Sequence, residues 1–204
     1  MSTLTIDNEK QKIGMSYEEY RKMSSLELEN FNLTDFEERE KKRFATLRIN
    51  LQRIMRLEKQ FQPGVEIKNA VEKITHPQLW LLITESWCGD SAQSVPIINK
   101  IASLNSNIEL RLILRDEHRE ISDKYYEEGQ PRSIPLLIVY DEHQNELFRW
   151  GARPKFAANL VKKLKSRGIP AEEYNKELHL WYGKNKGKDI EKEITELIGE
   201  SNNY

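Results

Sequence analysis

The chain has 204 residues, 38% hydrophobic and 32% charged, with a formal net charge of −1. That supplies a core for one domain with extensions, excludes disorder throughout, and leaves no basic excess for a nucleic-acid footprint. No apolar run reaches the roughly eighteen residues of a membrane helix, and Met1 to Lys12 lacks the apolar stretch and small-residue cleavage site of a secretory signal. A soluble cytoplasmic protein is therefore expected. The single cysteine, Cys88, excludes an intramolecular disulfide and any zinc site built on several cysteines. A lone cysteine is usually a small buried hydrophobe, so its surroundings decide its meaning.

In chain order, residues 1–15 are polar and read as frayed. Ser16 with Glu19 has the form of a capping box and opens a helix to about Leu28. Thr34 with Glu37 repeats the signature and begins a long helix. Phe44, Leu47, Leu51, Ile54 and Phe61 form its apolar stripe, and Pro63-Gly64 stops it. A shorter helical pattern carries Val65, Ala70, Val71 and Ile74. Leu79 to Thr84 is a continuous apolar run of strand length, as in a strand covered on both faces.

Trp87-Cys88-Gly89-Asp90-Ser91 follows, then a helix with Val95, Ile97, Ile98, Ile101 and Leu104. Ile108 to Leu114 reads as a second strand, Asp116 to Glu128 as a charged helix, and Ile134 to Tyr140 as a third strand. Glu146 to Trp150 pairs with it through a turn at Glu142–Asn145. Pro154 opens a helix bearing Phe156, Ala157, Leu160, Val161 and Leu164. Beyond Leu178, Leu180, Trp181 and Tyr182, a last amphipathic helix carries Ile190, Ile194, Leu197 and Ile198. This order joins a parallel βαβ unit to a closing hairpin, an α/β architecture.

Four features at matching separations resemble the thioredoxin superfamily. Trp87-Cys88-Gly89 resembles the start of its Trp-Cys-Gly-Pro-Cys signature, and Pro96 the proline that kinks the active-site helix. Ile134-Pro135 resembles the isoleucine and cis-proline facing the reactive sulfur, and Gly151 the glycine closing the last hairpin strand. The match covers about residues 79–165. Trp87 to Ser91, with Arg115-Asp116 and Trp150-Gly151-Ala152-Arg153-Pro154, also resembles a bacterial thioredoxin-family subgroup with an added N-terminal helical segment. The resemblance implies a thioredoxin-like α/β fold, with a mixed sheet of four to five strands flanked by helices. Its segments would be an N-terminal helical extension packed on the core (1–75), the thioredoxin-like domain (76–168) and a C-terminal helical extension (169–204).

Two positions depart from the pattern. Ser91 replaces the second, resolving cysteine, and Leu82 stands where the family keeps a buried aspartate that assists the resolving step. Losing both together is coherent, because the helper has no step left to assist. What survives is a monothiol set. Cys88 at a helix start would be the nucleophile, with its thiolate favoured by unpaired backbone N–H groups and the helix dipole. Ser91 would donate a hydrogen bond to the sulfur, while Asp90 would oppose the thiolate as a like charge. Moderate activation below the usual thiol pKa of roughly 8.5 is expected. Trp87, Gly89, Asp90, Ile134 and Pro135 would form the substrate-docking surface, the Ile134 backbone pairing with an extended segment. A cis bond before Pro135 is part of that expectation.

The implied activity is thiol–disulfide exchange with an external resolving thiol. No cofactor or metal is required, and a low-molecular-weight thiol would serve as co-substrate. The partners are protein or small-molecule thiols and disulfides, with no nucleic acid and no membrane; the oligomeric state is open. Two alternatives stand beside it: a redox-inert, peptide-binding interaction module on the same fold, and a cluster carrier joining two copies through Cys88 and external thiols.

The other polar residues carry weaker expectations. His76, His118, His143 and His179 lack ligand spacing and read as surface residues. Arg115 to Glu120 either lines the active-site face or forms a solvated helix start. Trp80 and Trp181 read as packing aromatics, and Trp87 as a shield for one side of the sulfur. Arg153 is placed to meet an anionic thiol.

Overall fold

The apolar run at Leu79–Thr84 becomes β1 (Gln78–Thr84), an inner strand whose alternate side chains enter two separate cores. Trp80 and Leu82 point to one face; Leu81 and Ile83 point to the other, and all four are fully buried. Burial on both faces explains why the strand shows no polar alternation. Each such leucine or isoleucine contributes about 1.5–3 kcal/mol relative to exposure. A computed structural model describes residues 14–29, 37–127, 129 and 131–201.

β1 pairs in parallel with β2 (Ile108–Leu114) and antiparallel with β3 (Leu136–Tyr140), which pairs antiparallel with β4 (Glu146–Gly151). The resulting order is β2-β1-β3-β4. The β2 edge is not left open: Met15 and Leu112 exchange two backbone hydrogen bonds of 2.8 Å. That pairing blunts an otherwise sticky sheet edge. Met15 was expected in a frayed tail, and it instead makes these ladder bonds.

Eight α-helices lie among the described residues: α1 (Tyr17–Glu29), α2 (Glu38–Gln60), α3 (Val65–Glu72), α4 (Gly89–Ala102), α5 (Arg119–Ser122), α6 (Lys155–Ser166), α7 (Ala171–Asn185) and α8 (Lys188–Ser201). The mixed sheet flanked by helices, with helical extensions at both ends, is the thioredoxin-like architecture expected from the motifs. α2 packs along α4, and α8 packs on α3, α4 and β4, so both extensions share the main core. Leu47, Ile54 and Phe61 of the α2 stripe are buried, together with Leu57. Among the described residues, no helix is long and apolar enough to cross a membrane.

Local chemistry sets the helix ends. Before α1, Glu19 accepts from the Ser16 amide at 2.7 Å while the Glu19 amide donates to Ser16 Oγ at 3.2 Å, closing the capping box. α2 begins later than its signature suggested. Glu37 is the N-cap, and Glu40 reaches back to its amide at 3.0 Å; Thr34 lies outside the described residues. The charged stretch after Asp116 is not one helix but the single turn α5 followed by a 3₁₀ turn, Asp123–Tyr125. Its expected end, Glu128, also lies outside the described residues. β3 starts at Leu136 rather than Ile134, consistent with Pro135 having no N–H for the ladder. α7, unassigned from sequence, buries Leu178 and Tyr182 while Leu180 stays exposed.

Candidate functional site

Cys88 is the N-cap of α4, the point where the chain turns from β1 into the helix. Its own backbone is extended (φ −79°, ψ 119°), and its Sγ accepts a hydrogen bond from the Ser91 amide at 3.4 Å. An N-cap side chain normally satisfies one of the free amides of the first turn. Here a sulfur fills that role. Pro96 lies inside the same helix and is buried.

Opposite the sulfur lies the start of β3. The Ile134–Pro135 peptide is cis, and the Cys88 thiol donates to the Ile134 carbonyl at 3.4 Å. Gly151 of β4 backs this segment. Its φ is +147°, and a Cβ there would collide with the Pro135 carbonyl oxygen. Only glycine allows β4 to pass so close behind the proline. Trp87 is half-buried beside the sulfur, and the Arg115 guanidinium lies over its ring at 5.1 Å. Arg115 therefore lines this face, while the helix start of that stretch falls later, at α5.

The electrostatics run against the expected activation. Burial pushes the Cys88 thiol above its ordinary range, and the Asp90 carboxylate pushes it further; the amides and hydroxyl of the first turn pull it down but do not prevail. Cys88 is 8% exposed and packs with Leu81, Ile83, Ile113 and Ile134. A thiolate there loses water that the few amides do not replace. The Ile134 carbonyl adds to this, since it accepts from the neutral thiol. Ser91 plays a different part from the one expected. Its backbone amide makes the hydrogen bond; its fully buried hydroxyl favours the thiolate without reaching hydrogen-bond geometry to any partner among the described residues.

Asp90 and Gly89, expected on the docking surface, face the extensions instead. Asp90 Oδ2 is held by Arg153 Nη2 at 2.6 Å and Nε at 2.8 Å, and Oδ1 accepts from the Tyr182 hydroxyl at 2.9 Å. Arg153, read from sequence as a contact for an anionic thiol, is thus engaged within the chain. A Cβ at Gly89 would lie 2.7 Å from His179 Nε2 and 3.3 Å from Arg53 Nη1. α7 and α2 thus close over the first turn of α4 from two sides. His179, expected on the surface, is pushed down to about 4 by burial and by Arg53, Arg153 and Arg56. Its Nδ1 lies 3.3 Å from Gln93 Nε2, and Gln93 accepts from Arg56 at 3.0 Å.

Sequence reasoning missed two further neighbours. Tyr20 of α1 is fully buried and donates to the Glu85 carbonyl at 3.4 Å, placing the N-terminal extension beneath the motif. Glu85 is 6% exposed, its carboxyl is raised by burial, and it accepts from the Asp116 amide at 2.7 Å. The Glu85-Ser86 pair directly before the motif was a visible signal, since an acid inside an apolar strand-to-helix turn needs a partner. Leu82 is fully buried among hydrocarbon. Among the described residues, no group of three or more His, Cys, Asp or Glu side chains could hold a metal ion.

Residues 37–165 match the model of the family described as thioredoxin. A search of curated proteins found no match. Among solved structures, an HIV epitope scaffold superposes with a TM-score of 0.60 at 18% identity, covering 94% of this chain and 96% of that one. A protein of unknown function from Pseudomonas aeruginosa gives a TM-score of 0.54 at 17% identity, covering 92% of this chain and 99% of that one. Both likenesses extend beyond the sheet to the terminal helices, and they are likenesses of fold.

Proposed function

The chain belongs to the thioredoxin family, and from that premise we propose that it carries out monothiol thiol–disulfide exchange through Cys88, with an external thiol completing the cycle. One observation carries this reading: Sγ sits at the N-cap of a fourteen-residue helix, 3.4 Å from the carbonyl that precedes Pro135. A sulfur serving only as packing has no need of a helix terminus or a facing backbone edge.

In the first step Cys88 releases its proton to solvent and attacks one sulfur of a substrate disulfide. A Cys88–substrate disulfide forms, the original S–S bond breaks, and the other sulfur leaves as a thiolate. In the second step an external thiolate attacks the substrate sulfur of that mixed disulfide, forming a new disulfide and returning Cys88 as thiolate. Electrons pass between substrate and external thiol, and the protein ends unchanged. Ser91 cannot supply the second thiol. Loss of the Cys88 proton also frees the Ile134 carbonyl, which then accepts an N–H from an extended substrate segment. Trp87 and Pro135 flank that position.

The raised thiol makes the thiolate scarce near neutral pH, yet a more basic thiolate is the stronger nucleophile. Exchange should therefore be slow at pH 7 and accelerate with alkalinity. A reducing compartment such as the cytoplasm supplies the external thiol.

Burial of the sulfur and its raised thiol favour a second reading, a redox-inert module that docks peptides against the Ile134 edge. One experiment separates the two. The folded protein is incubated at pH 8.5 with glutathione disulfide, and its intact mass is read before and after addition of a free thiol. Exchange chemistry gives one adduct that the thiol removes and that Cys88→Ser lacks. A chain that gains the adduct only when unfolded is the inert module.

A further inference from the structure

Beside Trp87, whose ring Arg115 covers, lies an open pocket of about 350 Å³ lined by Arg115, Asp116, Arg119, Asp123 and Arg132. Resting on the exchange reading above, we propose that this pocket is the docking site for carboxylate groups of a small peptidic thiol or its disulfide, delivering that sulfur to Cys88.

The pocket is joined to the sulfur by a short piece of chain. Arg132 lies two residues before Ile134, whose carbonyl accepts from the Cys88 thiol at 3.4 Å. Arg115 Nη1 donates to the Arg132 carbonyl at 3.0 Å while its guanidinium covers the Trp87 ring at 5.1 Å. Tyr126 fixes the same segment from its other side by donating to the Ser133 carbonyl at 2.9 Å. A ligand in the pocket is therefore only a few side-chain lengths from Sγ.

The charges select the ligand. Among the described residues that line the pocket, three guanidinium groups face two carboxylates, leaving an excess of one positive charge. Asp116 pairs with Arg115 at 2.9 Å and Asp123 with Arg132 at 3.0 Å, which holds both arginines in place. Arg119 is exposed, and no hydrogen bond or ion pair engages its side chain among the described residues. A planar guanidinium fork with no partner among the described residues, beside two anchored ones, suits a carboxylate. The volume is at the lower end of small-molecule sites, so it takes a short peptide rather than a folded surface.

The test uses a ligand that cannot react, so that binding is read apart from exchange. S-methylglutathione is titrated into the full-length protein while the Trp87 indole N–H is followed by NMR. The expected result is saturable binding that moves the Trp87 signal and weakens about fivefold to tenfold in Arg119→Ala and in Arg132→Ala, the range for losing one charge-assisted hydrogen bond at a partly exposed site. Raised salt should weaken it as well. In parallel, adduct formation on Cys88 is compared for glutathione disulfide and cystamine. The ratio of the two rates should fall in Arg119→Ala, because cystamine carries only positive charge. No Trp87 response at millimolar ligand, or binding indifferent to both arginines, overturns the proposal even if Cys88 reacts with disulfides. Binding without any adduct would leave a carboxylate-docking pocket but overturn the delivery of sulfur to Cys88, and with it the exchange reading.

Discussion

Arg153 Nη2 lies 2.6 Å from Asp90 Oδ2, tying the loop after β4 to the first turn of the helix that carries Cys88. Tyr182 of the C-terminal extension joins the same carboxylate at 2.9 Å. The acid that raises the thiol is thus also the acid that anchors two later parts of the chain. Activation of the sulfur and attachment of the extension compete for one side chain.

Asp90→Asn separates the two effects. Removing the like charge lowers the Cys88 thiol, so alkylation at pH 7 should rise severalfold. The variant should lose about 1–3 kcal/mol in urea unfolding, because Arg153 and Tyr182 keep a weaker partner. An unchanged alkylation rate would mean that burial alone sets the thiol.

His179 gives the fold an acid limit. Its folded pKa is depressed to about 4 from an ordinary 6.5, so between those values the unfolded chain binds more protons. Stability should therefore fall as pH drops from 6.5 toward 4, by roughly 1–2 kcal/mol after allowing for the residue's partial exposure. His179→Gln should flatten that part of the stability curve measured by urea titration.

Gly151→Ala tests the support behind Pro135. The new Cβ meets the Pro135 carbonyl, and the backbone there has φ +147°. A loss of at least about 2 kcal/mol is expected by thermal or urea unfolding. Cys88 alkylation should rise in the same variant as the Ile134–Pro135 segment shifts from the sulfur.

Ser91→Cys restores a second thiol one turn into α4, at a position whose backbone amide already meets Sγ at 3.4 Å. Mild oxidation should remove both thiols from alkylation without joining two chains, as read by intact mass. Turnover of a protein disulfide should remain slow, since the fully buried Leu82 provides no carboxylate for the resolving step.

How much of this was legible in the sequence depends on how far each feature reaches along the chain. The Leu79–Thr84 run declared a strand buried on both faces because its own composition carries the signal. The Ser16–Glu19 box declared the start of α1 for the same reason. Cys88, Ile134 and Pro135 were readable as a set, and the fold brings the sulfur to the Ile134 carbonyl. The protonation balance of Cys88 was not readable. It depends on how deeply Leu81, Ile113 and Ile134 bury the sulfur, which no local pattern encodes. Nor was the closure over Gly89, which needs Arg53 and His179 to converge from opposite ends of the chain. α7 escaped because its apolar residues, Leu178, Leu180, Trp181 and Tyr182, cluster rather than recur, and only some face the core.

The most direct measurement is the rate of Cys88 alkylation across pH 6 to 11, on folded protein and on protein in urea. The expected result is labelling of the folded chain that climbs with pH along a single titration above the unfolded thiol's, and that a bound small disulfide blocks. A folded chain that stays unlabelled at every pH, with rapid labelling only in urea, would contradict a reactive sulfur at the head of α4.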